Sequence, residues 1–339
     1  MQRIPFFLLL IFLGTGCSKE LLAPQSSTVA GVEVVFLNAD GAYTYQKRES
    51  RYLREQLQPI DVSIILEEDL SDLDSAAVRQ RYLDNLQKNT LDWTERELKN
   101  FRELLEETFL EIADRTPKVL PDTLYLIKTT GNETIGKGTM YTSAKSLTIP
   151  RMNTRTAGLG FLSDEVEATL QHELFHIYSN QHPEVRPELY ALIGFYPIDL
   201  DLGELGRQII ANPDADANWA IRLEHNGVSL EAVLLTYSPY PTWEGSKSPL
   251  GLKPGKGYLD YGLFEVTPEN GVYRLTNGLT ELDLNTVEES FRAQIGRNTD
   301  YLLAVEEILA DTYPLIFDVP EEASVRDREI IEALKERLR

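Results

Sequence analysis

The chain has 339 residues, enough for one large domain or two modest ones with a core that needs no disulfide staples. A formal charge of −21 argues against nucleic acid and against docking on anionic lipid, since both reward a positive face. A single cysteine excludes a disulfide framework.

The first residues read as a targeting signal. Arg3 supplies a positive start, Ile4 to Leu13 an apolar run, and Gly14-Thr15-Gly16 a set of small residues before Cys17. This resembles a bacterial lipoprotein signal peptide over residues 1–16, in which Cys17 becomes the lipid-bearing first residue of the mature protein. Gly14 stands where the usual lipobox has a branched aliphatic, and a plain secretory signal is the alternative. The apolar run is too short to span a bilayer. Ser18-Lys19-Glu20 is similar to short signals that send some Bacteroidetes-type lipoproteins to the cell surface. The expected location is the bacterial cell envelope, lipid-anchored at the outer membrane.

Residues 17–30 read as the lipidated cysteine and a flexible tether, with Pro24 among polar and small residues. Order is expected from Val32, in a strand through Leu37, and Ile60 to Leu66 reads as another strand or an extended arm. Helices are predicted over roughly Ser71–Lys88 and Thr94–Asp114. The second has Thr94 and Glu97 as a capping box, Trp93 to staple onto Leu98, and a core stripe of Leu98, Phe101, Leu105, Phe109 and Ile112. Thr123–Thr129 and Leu147–Ile149 follow as strands, with Gly131, Gly136 and Gly138 as turns between them.

The centre of the chain is His172-Glu173-Leu174-Phe175-His176, an H-E-x-x-H pattern. On a helix, residues four apart share a face, so two imidazoles can meet one metal ion while Glu173 reaches a metal-bound water. That is the donor set of a zinc hydrolase, with Zn²⁺ as the cofactor and Glu173 as general base. Ser163 or Asp164 caps the helix with Glu167, and Val166, Leu170, Leu174 and Ile177 form its apolar stripe. Further on, Ile221–Leu223, Val233–Leu235, Tyr258–Val266 and Val272–Arg274 read as strands of a β-rich insertion over about 215–280. Asn270-Gly271 reads as a hairpin turn.

A catalytic zinc needs a third protein ligand. His182 lies ten positions after His172, the metzincin spacing, but Ser179 replaces the required glycine and no methionine lies downstream. Glu307 is the stronger candidate, because Asp311 falls four residues later on the same helical face, placed to accept a ring N–H from a ligating histidine. Glu306 is the alternative ligand, with Ala310 rather than an acid four residues on. Tyr301, Leu302, Val305, Ile308 and Leu309 are expected to bury the opposite side. For a donor to a developing oxyanion, His225, Tyr190, Tyr196 and Tyr237 are all open.

His172-Glu173-x-x-His176 and Glu307-x-x-x-Asp311 together resemble the paired helices of gluzincin metallopeptidases. Tyr190 to Phe195, Asn212-Pro213-Asp214 and Glu306 to Asp311 are similar to zinc-metallopeptidase lipoproteins of bacteria, over roughly residues 120–315. The resemblance implies an α+β, zincin-like domain over 31–320: a small mixed sheet over the H-E-x-x-H helix, the β-rich insertion, and a second ligand-bearing helix. A helical tail over 321–339 completes the chain. It further implies that His172, His176 and Glu307 bind zinc, that Glu173 is the base, that Asp311 orients a histidine, and that the substrate is a peptide or protein. Because Glu307 follows His176 by 131 positions, the insertion between them is large enough to cover or shape the cleft. A rival reading keeps the fold but not the chemistry, as a catalytically silent, surface-anchored binding or assembly protein. Oligomeric state is not legible.

Overall fold

The computed structural model describes residues 23–156, 163–225, 227–244 and 257–339. Cys17, the signal segment before it, and the capping side chains assigned to Ser163 and Asp164 lie outside the described residues. The architecture is mixed α+β, with helices around two sheets.

The first sheet begins earlier than expected. β1 (Gln25–Val29) pairs antiparallel with β2 (Val32–Phe36) through Ala30 and Gly31, both at positive φ. Two left-handed residues between paired strands make the tight hairpin whose twist matches a sheet. Much of the stretch read as a tether is therefore an edge strand. Its polar outer residues hide the pattern, and only Val29 is buried.

There follow α1 (Ala39–Glu49), a π-helical turn (Tyr52–Gln56), α2 (Pro59–Leu66), α3 (Ser75–Asn89), β3 (Thr90–Leu91) and α4 (Glu95–Arg115). α2 corrects the expected strand over Ile60–Leu66. Pro59 opens it, and the Asp61 carboxylate accepts the Gln58 N–H at 2.8 Å, which fixes the first turn. Ile60, Val62, Ile64 and Ile65 are all buried, as are Asp61 and Ser63, so the helix is buried on every side and its apolar residues show no helical period in sequence. α4 starts at the Thr94–Glu97 capping box, and its predicted stripe is buried throughout. Trp93 lies against Phe36 and Phe101, with ring centroids 5.1 and 5.6 Å away.

β4 (Thr123–Thr129), β5 (Tyr141–Ser143) and β6 (Ser146–Pro150) complete the first sheet, ordered β1-β2-β4-β6-β5 with β3 also on β4. The centre is parallel and both ends are antiparallel, so β5 is an edge strand running against its neighbour. α5 (Arg151–Thr156) leads towards α6 (Ser163–Gln181), which packs against β5 and α4.

After α7 (Arg186–Ala191), the strands β7 (Phe195–Pro197), β8 (Trp219–His225), β9 (Val228–Tyr237), β10 (Asp260–Glu269) and β11 (Val272–Leu275) form a second, wholly antiparallel sheet. It starts earlier than the insertion expected from sequence, because β7 pairs with β8. Asn270 and Gly271, with φ of 55 and 90, make the predicted turn. α8 (Leu284–Ile295) packs on β8, and α9 (Val305–Thr312) packs on α6. The last helix, α10 (Val325–Leu338), buries Ile330, Ile331, Leu334 and Leu338 in the main core; the residues expected as a tail are structural. Among the described residues no helix is long and apolar enough to cross a membrane.

Candidate metal centre

α6 is held by the apolar side chains that the sequence singled out. Leu170, Leu174 and Ile177 are fully buried and Val166 nearly so. The 3.6-residue period then turns His172, Glu173 and His176 towards α9, which packs across α6. Both helices are fixed by core contacts, so the polar groups between them meet without depending on a loop.

His172, His176 and Glu307 converge: one ligand atom from each lies within 4.8 Å of the others. The two Nε2 atoms stand 2.9 Å apart. Glu307 Oε2 lies 3.3 Å from His172 Nε2 and 3.4 Å from His176 Nε2. Among the described residues this is the one His, Cys, Asp or Glu trio whose ligand atoms come together in this way.

The far nitrogens decide what the near ones offer. His172 Nδ1 is 2.9 Å from Asp311 Oδ1, as expected from the four-residue step, and His176 Nδ1 is 3.3 Å from Glu306 Oε1. With its Nδ1 donating to the acid behind it, each ring would be free to offer its Nε2 lone pair to a cation. Two lone pairs aimed at each other, beside a carboxylate oxygen, are stable only with a proton or a cation between them. The donor set, two imidazoles and a carboxylate, is that of zinc. The residues fit the ion.

Glu306, the alternative ligand in the sequence reading, is placed behind His176 instead. It is fully buried, and besides His176 its carboxylate accepts the Ser179 hydroxyl at 2.9 Å and the Tyr190 hydroxyl. Ser179 is in turn held by Arg186 Nε at 3.0 Å. Asn212 donates to Glu307 Oε1 at 2.7 Å, leaving Oε2 to the histidines. Thr299 donates to the outer oxygen of Asp311. Asp214, also buried, accepts from Thr142 of β5 and, at 3.2 Å, from Asn180 of α6.

The electrostatics follow from burying many acids around two imidazoles. Burial alone would depress the His172 pKa, but the bonds to Asp311 and Glu307 outweigh it and lift it to about 9. His176 is also raised, well above its ordinary value and against the same burial, by the charges of Glu307 and Asp214 and the bond to Glu306. Burial would raise Glu307, yet the His176 charge and the two imidazole bonds hold it well below the usual carboxylate range. Such a pocket demands positive charge. Glu173 behaves differently: burial pushes it up to about 7, only partly offset by the two histidines. Its Oε2 is shut away from solvent with no hydrogen-bond partner among the described residues.

Several sequence candidates stand elsewhere. His182, beyond the end of α6, is half-exposed and faces Glu184, so it is not brought to the trio. Tyr190 is occupied by Glu306, Tyr196 donates to Glu231 and Tyr237 to Glu281. His225 closes the β8–β9 hairpin opposite Val228. Leu302, Val305, Ile308 and Leu309 are buried as expected, but Tyr301, which precedes α9, is half-exposed. Its hydroxyl is raised by burial and then by the charges of Glu307, Asp311 and Glu173, which puts it in the field of the site.

Compared with known proteins, the chain matches no family model, no curated protein and no solved structure.

Proposed function

We propose that the chain is a zinc-dependent hydrolase of peptide or related amide bonds, on a zincin-like domain, with His172, His176 and Glu307 holding the ion. The observation that carries this reading is the meeting of two Nε2 atoms and Glu307 Oε2 between two helices, with a carboxylate behind each ring. Zinc held there would supply a Lewis acid for the carbonyl and would bring the pKa of water towards neutrality. Glu173 Oε2, buried without a partner beside the first ligand, receives the proton of the attacking water and returns it to the leaving amine. Asp311 and Glu306 keep both rings in the tautomer that offers Nε2. Tyr301, whose hydroxyl is raised by burial and by the charges of the site acids, would be the donor to the developing oxyanion in this reading. β5, the sheet edge tied to the site through Thr142 and Asp214, offers its outer ladder to an extended peptide.

The anchor completes the proposal: lipidation of Cys17 would hold this domain on the outer membrane. The burial of Glu173 and His176 favours the second reading, a surface-anchored binding protein, because it restricts access to the centre. The two are separated by elemental analysis of protein truncated after Cys17, beside Glu307→Ala under the same dialysis, with peptide cleavage assayed in parallel. One zinc in the parent, much less in the variant, and turnover by the parent support the hydrolase. No zinc in either folded protein would overturn it.

A further inference from the structure

Arg186 is the first residue of α7 and is buried. A guanidinium taken out of water is tolerated only when its N–H groups find acceptors. Nε donates to the Ser179 hydroxyl oxygen at 3.0 Å, and Nη1 to Asp216 Oδ2 at 3.1 Å. Nη2 donates to the Asn180 side-chain oxygen and, at 3.4 Å, to the Asp214 carbonyl. Four acceptors are thus spread around one plane, an arrangement that the fork of an arginine matches and the single point of a lysine ammonium does not.

Two lines of contact run from these bonds to the metal centre. The first leaves from Ser179, one turn along α6 from His176. Because its oxygen accepts from Arg186, the hydroxyl is turned to donate to Glu306 Oε2 at 2.9 Å, and Glu306 Oε1 stands 3.3 Å from His176 Nδ1. The second passes through residues 212–216, which Arg186 holds at the Asp214 carbonyl and the Asp216 carboxylate. There the Asp214 N–H donates to Asn212 Oδ1 at 2.9 Å, which fixes the direction of the Asn212 amide and presents its nitrogen to Glu307 Oε1 at 2.7 Å. One guanidinium therefore stands behind two of the three converging side chains.

We propose that Arg186 is a positioning residue of the metal centre, setting the Glu306 carboxylate behind His176 through Ser179, and the Asn212 amide behind Glu307 through residues 212–216. The assignment rests on the reading that His172, His176 and Glu307 hold zinc, but not on the reaction carried out there.

The test is zinc competition with a chromophoric chelator on the full chain, beside urea titration of the metal-free protein. Arg186→Lys is expected to weaken zinc by about tenfold, the low end for a group behind a ligand. In a Ser179→Ala/Asn212→Ala background, where both routes are cut, the same substitution is expected to cost less than about twofold, because effects that share a route do not add. Cobalt(II) in place of zinc reports ligand geometry, and Arg186→Lys is expected to displace its visible bands. A lower urea midpoint with unchanged zinc affinity and cobalt bands, or an equal loss of affinity in both backgrounds, overturns the proposal and leaves Arg186 as a tie between α6 and the loop. Where Arg186→Lys does not fold, Asp216→Asn loosens the guanidinium from the loop side: zinc weakened by about threefold in the parent and unchanged in the cut background supports the proposal, and unchanged affinity in the parent overturns it. A folded parent that takes up no zinc overturns the ligand reading and this assignment together. Zinc held and weakened as expected, with no peptide cleaved, leaves the assignment standing while the hydrolase reading falls.

Discussion

The carboxylate of Glu306 lies 3.3 Å from Nδ1 of His176, on the side of the ring away from Glu307. Each imidazole of the centre is therefore backed by its own acid, Asp311 behind His172 and Glu306 behind His176. Removing such an outer partner typically weakens metal binding by about 10- to 100-fold. Glu306→Ala and Asp311→Ala are each expected to fall in that range in zinc competition with a chromophoric chelator. Glu306→Ala also strands the Tyr190 and Ser179 hydroxyls. Unchanged affinity in both variants would remove the outer acids from the account.

Glu173→Gln separates binding from chemistry. The residue is not one of the three that converge and has a buried oxygen with no hydrogen-bond partner among the described residues, so the variant is expected to keep whatever zinc the parent holds. Turnover of a cleavable peptide should drop by about 10²- to 10⁴-fold, the usual contribution of a positioned base. Equal turnover in parent and variant would assign the proton transfer elsewhere.

Tyr301→Phe tests the oxyanion donor. Zinc content and KM should hold while kcat falls by about 10²- to 10³-fold. A fall in zinc content instead would make Tyr301 a structural neighbour of Glu307 and Asp311.

Asp61 gives a prediction about pH that is independent of metal. It is fully buried, and burial raises it to about 7 against the two backbone N–H bonds that it accepts from Gln58 and Ala211. The folded state therefore keeps a proton that the unfolded chain releases above about pH 4. More protons bound in the folded state means that stability from this group declines as pH rises from about 4 to about 7 and is level beyond. Asp61→Asn, which cannot ionise, should gain on the parent across that window by an amount on the order of a few kcal/mol. Urea titrations of metal-free protein at pH 4.5, 6 and 8 measure the gap; a gap that does not widen would mean that Asp61 titrates normally.

How much was legible follows from which signals are local. His172, Glu173 and His176 are read from one helical turn, and Glu307 with Asp311 from another, because the four-residue step is the same in sequence and in space. α4 was legible because its capping box and stripe agree. α2 was not, since burial on every side removes the period that distinguishes helix from strand, although Pro59 and Asp61 were signals of its start. β1 was missed because an edge strand with one buried residue looks like polar linker. The roles of Glu306, Asn212 and Asp214 depend on contacts across long stretches of chain, which no spacing encodes. Tyr301 was placed on a helical face, but it lies before α9 begins, where helical spacing does not apply.

The neighbouring acids at the start of α9 have a consequence for assembly of the molecule. A one-residue rotation of that helix would bring Glu306 towards the imidazoles, but it would set Ala310 opposite His172 and leave Ser179 and Tyr190 without their acceptor. Only one seating satisfies both rings. Since α9 and α10 share the main core, uptake of an ion between α6 and α9 would act as a proofreading step. It would lock α9 in place only after that helix had docked in the correct frame.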